Sequence, residues 1–137
     1  MQAIVYAQNR RITPEQLAAV FTRSGINRPV DDLARMEKML QHGNLLITAW
    51  DGANLVGVAR ALTDFSFCCY LSDLAVDREY QKNGIGQALI EQVRSAIGND
   101  AMLLLLAAPS AMSYYPKVGF EAVANGWIIP RPSAVAA

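Results

Sequence analysis

The 137-residue chain is 53% hydrophobic and 18% charged, the balance of one compact globular domain rather than a disordered chain. Twelve basic and twelve acidic residues cancel, so the basic excess of a nucleic-acid binder is missing. The longest apolar run, 101–108, is far short of the roughly 20 residues of a membrane span. With no signal-peptide order at the N-terminus, a cytoplasmic address and no membrane partner are expected.

In chain order, residues 3–6 form a short β-branched and aromatic run that predicts a first strand. Thr13, Pro14 and Gln16 then spell a capping box with proline at the first helical position. The helix it opens has Leu17, Val20 and Phe21 on one stripe and ends near Ser24-Gly25. A second helix starts at Asp31 or Asp32, keeps Leu33, Met36, Met39 and Leu40 at helical spacing, and ends at His42, with Gly43 expected as a left-handed cap. The period then changes to two. Residues 45–50 and 55–62 predict a hairpin around the Asp51-Gly52 turn, and 67–76 a third strand-like run.

After a glycine loop, residues 87–97 predict a helix with Ala88, Leu89, Val93 and Ile97 facing inward. The continuous apolar stretch 102–107 reads as a strand buried on both faces. A short helix over 111–118 and a last strand over 120–127 follow, with a loose tail over 129–137 and a single domain over 1–128. Strand 68–76, loop, helix 87–97 and strand 102–107 compose a right-handed parallel βαβ unit beside antiparallel strands. The fold class is therefore α/β or α+β, on one mixed sheet.

Chemistry has few candidate carriers. One histidine, His42, and two adjacent cysteines, Cys68 and Cys69, suit neither a zinc site nor a disulfide framework, so no metal is expected. The loop Tyr80-Gln81-Lys82-Asn83-Gly84-Ile85-Gly86 stands out. A helix start normally wants a Ser, Thr, Asp or Asn cap, and glycine within a helix costs about 1 kcal/mol against alanine. Two glycines at a helix N-terminus make sense if a phosphate approaches the main chain there, where the dipole adds roughly half a positive charge. The P-loop fingerprint is absent, and the dinucleotide fingerprint fails at Leu89.

Gln81-Lys82-Asn83-Gly84-Ile85-Gly86 resembles the acetyl-CoA loop Q/R-x-x-G-x-G/A of the GNAT superfamily of N-acetyltransferases. The strand 70–76 (YLSDLAV) looks like that family's cofactor strand, and AMSYYPKVGF, 111–120, looks like its A-x-x-[LF]-Y-x-K-x-G-F segment. The resemblance is firm over 45–120, weak over 1–44 and slight beyond 121. It implies a GNAT-like sheet with splayed central strands, helices on both faces, and acetyl-CoA as co-substrate.

The resemblance also implies roles. The amides of Gln81, Lys82, Asn83, Gly84, Ile85 and Gly86 would hold the CoA pyrophosphate. The edge at Leu74, Ala75 and Val76 would pair with the pantetheine arm, and the Leu74 amide would meet the thioester carbonyl. Tyr115 would be general acid toward the departing thiolate. A glutamate base often found in the family is missing, since Tyr70 and Ser72 stand at its two positions; Asp73 would orient a water or the amine, or be a polar residue at a strand bulge. His42 is a second candidate base. Ala108 replaces an asparagine that touches pantetheine, a contact Ser110 could supply. Arg78, Lys82 and Lys117 are candidates for the CoA phosphates.

The main reading is an N-acetyltransferase acting on a primary amine of a small molecule or peptide by direct attack in a ternary complex. A CoA-binding regulatory module with weak or no catalysis, and an interaction protein whose glycine loop is only a turn, are the rivals. Acidic Asp31, Asp32, Glu37 and Asp64 would suit a cationic acceptor. A homodimer is compatible with the resemblance, and no nucleic-acid partner is expected.

Overall fold

The structure, a computed structural model, describes residues 3–132. Among them, five strands form one sheet in the order β1-β2-β3-β4-β5: β1 (Val5–Gln8), β2 (Leu45–Asp51), β3 (Asn54–Thr63), β4 (Cys68–Val76) and β5 (Met102–Leu104). β1 to β4 are antiparallel, and β5 joins β4 in parallel. Helices α1 (Pro14–Ser24) and α2 (Leu33–His42) cover one face, and α3 (Ile85–Ile97) covers the other.

Local chemistry explains the helix starts. The Thr13 hydroxyl accepts from the Gln16 N–H while the Gln16 side chain accepts from the Thr13 N–H, closing the capping box. Asp32 caps α2 by accepting from the Arg35 N–H. The burial follows the stripes: Leu17, Val20 and Phe21 with Met36 pack on Trp50, Leu55, Val58 and Ala75. Across the sheet, Ile85, Leu89, Ile90, Val93 and Ile97 of α3 pack on Leu45, Ile47, Ala49, Ala59, Cys69 and Leu71. Ile90 joins this core unforeseen, and Ala88 is only half-buried.

Several expectations are corrected. Gly43 is not a left-handed cap; its φ of −77° is extended, and a Cβ there would stand 3.1 Å from the Met39 carbonyl and 3.3 Å from the Arg60 side chain. α3 begins at Ile85, two residues before the expected Gln87. β5 keeps only three of the six residues expected in 102–107, and it is an edge rather than a strand buried on both faces, with Met102 and Leu106 exposed. The helix expected over 111–118 is two 3-10 turns, Pro109–Ala111 and Tyr115–Val118. Residues 120–127 form no strand; 121–127 are exposed, so the run has no buried face to fix it against the sheet. Trp127 is 98% exposed. Of the expected tail, 129–132 are exposed, and 133–137 lie outside the described residues.

The short β5 has a cause in β4. The β3–β4 register shifts at Arg60/Ala61, where Arg60 opposes Asp73 and Ala61 opposes Leu71, leaving Ser72 as the extra residue of a bulge. A bulge bends its strand and raises the local twist. Parallel pairing with β5 covers only Cys68–Tyr70, so 71–76 has β3 on one side and an open edge on the other.

α2 holds to this scaffold by one fully buried side chain, Met36. Met36→Ala should therefore cost about 2–5 kcal/mol of unfolding free energy. Urea denaturation measures it, and a loss well under 1 kcal/mol would contradict the packing described.

Candidate active site

The bulge decides which way the β4 side chains point. Before it, Cys69 and Leu71 face α3; after it, Leu74 and Val76 do, while Asp73 and Ala75 face α1 and α2. One extra residue flips the parity of every position that follows. Without it, Asp73 would enter the apolar core beneath α3.

Instead Asp73, with no exposed surface, is clamped between two arginines. Its Oδ1 accepts from Nε of Arg28 and its Oδ2 from Nε of Arg60, both at 2.5 Å. Arg28 also donates to the Ser72 carbonyl at 2.7 Å, and Arg60 to the Ser72 hydroxyl at 3.0 Å. This corrects the expectation that Asp73 orients a water or the amine. Both oxygens are engaged and neither reaches solvent, so its work is to fasten the α1–α2 loop to β3 and β4. Neither arginine is signalled by local sequence, because the partners lie 45 and 13 residues away.

The open edge has a defined orientation. The Val76 carbonyl accepts from the Gln81 side chain at 2.9 Å, and the Asp77 N–H turns to the Val56 carbonyl on β3. Alternation along the strand then directs the N–H and C=O of Leu74 to the open side, as it does those of Val76. Ala75, between them, turns its polar groups to β3 and buries its side chain beneath α1.

The loop after β4 is held by its own side chains. The Tyr80 hydroxyl donates to Asp51 in the hairpin turn at 2.5 Å, a bond that raises the phenol above its ordinary range. The Asn83 amide donates to the Tyr80 carbonyl at 3.1 Å. Lys82 and Gly84 both adopt left-handed backbone, with φ of 70° and 78°. Gly84 occupies the N-cap of α3 with no side-chain cap, so the N–H groups of Ile85, Gly86 and Gln87 start the helix without an intrahelical acceptor.

The two glycines answer to different constraints. At Gly84 a Cβ would meet nothing within 4 Å, and the positive φ alone selects glycine. At Gly86 a Cβ would stand 2.8 Å from the Tyr114 hydroxyl. Phosphate approach is therefore not needed to account for either, contrary to the sequence argument. Tyr114 packs its ring edge-on to Tyr115, centroids 5.3 Å apart, and Tyr115 does the same to Phe120 at 5.4 Å. Burial raises the Tyr115 phenol above its ordinary 10.0, Tyr114 adds to the rise, and the Arg28 charge opposes it. Tyr115 thus packs on Tyr114, whose hydroxyl stands at the start of α3.

Other expected residues stand apart. Ser110 and Ala108 are exposed around the turn after β5, and His42 is exposed at the end of α2. Asp32 is spent as a helix cap, and Asp64 accepts from the N–H groups of Cys68, Phe67 and Ser66, which hold its carboxyl down to about 2. Asp31 and Glu37 are exposed. Cys69 is buried in the α3 core, and Cys68 is exposed at the far end of β4.

The Gly86–Tyr114 contact yields a test. Gly86→Ala should destabilise the fold by about 1–3 kcal/mol through overpacking, and Tyr114→Phe, which removes the clashing oxygen, should restore most of that loss. A thermal-melt double-mutant cycle measures it; additive effects would contradict the contact.

Comparison with known proteins agrees with this geometry. The family model described as "Acetyltransferase (GNAT) domain" matches residues 10–126. A chloroplastic GCN5-related N-acetyltransferase 2 of Arabidopsis thaliana is 39% identical over 74 residues, 53% of this chain and 29% of the relative. The chain spans under a third of the length of such curated relatives. Among solved structures, a GNAT family acetyltransferase of Streptococcus pneumoniae superposes with a TM-score of 0.75 at 21% identity, covering 96% of this chain and all of that one. An aminoglycoside N-acetyltransferase in complex with CoA gives 0.70 at 16% identity, covering 96% of each. These structural likenesses concern the fold, while the family model matches the sequence over most of the chain. The chain belongs to the GNAT acetyltransferase family.

Proposed function

We propose that the chain moves the acetyl group of acetyl-CoA to a primary amine of a small molecule or peptide by direct attack within a ternary complex. The observation that carries this reading is an uncapped helix N-terminus at the end of a strand whose edge is open over 71–76. An extended amide-bearing arm fits such an edge as an added strand, and a pyrophosphate fits the free N–H groups of Ile85, Gly86 and Gln87. Gln81, Lys82 and Asn83 complete the cradle, Lys82 with its exposed cationic side chain. Arg78 and Lys117 are also exposed and charged, and Ser110 stays a candidate for contact with the arm.

The residues then divide the chemistry. The Leu74 N–H, directed to the open edge, stabilises negative charge growing on the thioester oxygen. Tyr115 gives its phenolic proton to the departing sulfur. A thiol titrates near 8.5 and tyrosine near 10, so at pH 7 the phenol is the protonated partner. A carbon–nitrogen bond forms, the carbon–sulfur bond breaks, and one proton passes in net from the amine nitrogen to sulfur. With the oxygens of Asp73 occupied, no carboxylate among the named residues takes the amine proton, and the acceptor arrives as free amine.

Two measurements test this. Isothermal titration with acetyl-CoA should give micromolar binding to the wild type that Gly84→Val abolishes; a folded wild type that does not bind would overturn the proposal. Tyr115→Phe should lower kcat by roughly 10²–10⁴-fold with little change in KM. The acid form of Tyr115 is the active one and is lost as pH rises through its raised pKa, so wild-type activity should climb with amine deprotonation and show no descending limb below pH 10.0. A descending limb near pH 8 would contradict Tyr115 as the acid.

A further inference from the structure

Two arginines share one carboxylate beside the open strand edge, and the charges do not cancel. Among the described residues, Arg28–Asp73 and Arg60–Asp73 are the only ion pairs within 4.0 Å. Arg60 is closed in, with 9% of its side chain exposed, and it spends its outer nitrogens on the Ser72 hydroxyl and the Met39 carbonyl. Arg28 differs, with 24% of its side chain exposed. Nε goes to Asp73, Nη2 to the Ser72 carbonyl and Nη1 to the Asn27 carbonyl. A guanidinium carries five N–H donors, so three bonds leave donors over on the outer nitrogens.

That surplus has a defined address. Ser72 is two residues before Leu74 on β4, about 7 Å along a strand, and Tyr115 is near enough to feel the Arg28 charge. A partly buried cluster of net charge +1 is costly unless an anion meets it. Two of the acidic residues that would favour a cationic acceptor are engaged elsewhere: Asp32 turns to the α2 N-terminus and Asp64 to its own turn.

We propose that Arg28 is a specificity-determining residue and that the acceptor is a small amine bearing a carboxylate, an amino acid or a compound of that type, whose carboxylate lies on the free N–H groups of Arg28 while its amine faces the Leu74 edge. The proposal rests on the acetyltransferase reading above. It reverses the acceptor charge expected from the acidic residues in the sequence. A guanidinium fork matches a carboxylate in plane, and the separation from Ser72 to Leu74 limits the acceptor to a few bonds between its two groups.

The test compares matched acceptors on the wild-type protein by thiol release from acetyl-CoA: β-alanine, its carboxamide, and the polyamine spermidine as a cationic arm. The proposal expects kcat/KM at least tenfold higher for β-alanine than for its carboxamide, and higher than for spermidine. Arg28→Lys should keep part of the preference and Arg28→Gln should lose it, with KM moving more than kcat. Melting temperatures show whether either variant is unfolded; the wild-type comparison stands without them. Turnover of spermidine or the carboxamide equal to or above that of β-alanine overturns the proposal and leaves the acetyltransferase reading in place. Absence of acetyl-CoA binding, measured on the same sample, overturns both. Equal loss of kcat for every acceptor in Arg28→Lys would make Arg28 an anchor only and also overturn it.

Discussion

One buried carboxylate organises the working end of this molecule. Asp73 ties together the α1–α2 loop through Arg28, β3 through Arg60, and its own strand through the bulge at Ser72. Removing one partner of such a buried pair typically costs about 3–5 kcal/mol, because a charge is left without compensation. The geometry of the open edge follows from the same residue. The bulge that turns Asp73 toward the arginines also bends β4 away from β5, and the separation exposes the polar backbone of Leu74 and Val76.

The glycine loop is built on a second constraint, close packing at the start of α3. Lys82 holds a left-handed conformation that costs a non-glycine residue roughly 1–2 kcal/mol. The Tyr80–Asp51 and Gln81–Val76 bonds fasten the loop just before that strain, and the Asn83–Tyr80 bond closes across it. Tyr114 presses on Gly86, and its ring packs edge-on to that of its neighbour Tyr115. The helix start is thus held by protein contacts, with no side chain capping its first N–H groups. Preorganised donors of this kind spend little further entropy on binding.

Much of this was legible in the sequence wherever one short stretch determines the outcome. The Thr13-Pro14-Gln16 box, the Asp51-Gly52 turn, the stripes of α1 and the strand–loop–helix order around Gly84 all rest on neighbours a few residues apart. The sequence failed where distant side chains decide. Asp73 reads in the sequence either as a group that orients a water or the amine or as a polar residue at a bulge, because periodicity does not pair Arg28 and Arg60 with it. Gly86 looked like a phosphate requirement because the Tyr114 hydroxyl, 28 positions on, was invisible. The run 102–107 is apolar enough for a long buried strand, yet partner geometry limits β5 to Met102–Leu104. The span 120–127 has strand composition, yet from 121 on it buries no side chain against the sheet.

We propose that the open β4 edge and the uncapped start of α3 form one binding surface. Amide hydrogen exchange, read residue by residue with and without acetyl-CoA, tests it most directly. Exchange should slow at Leu74 and Val76 on the strand and at Ile85, Gly86 and Gln87 on the helix, together and at the same ligand concentration. Protection confined to other parts of the chain, or at one of these two segments without the other, would contradict it.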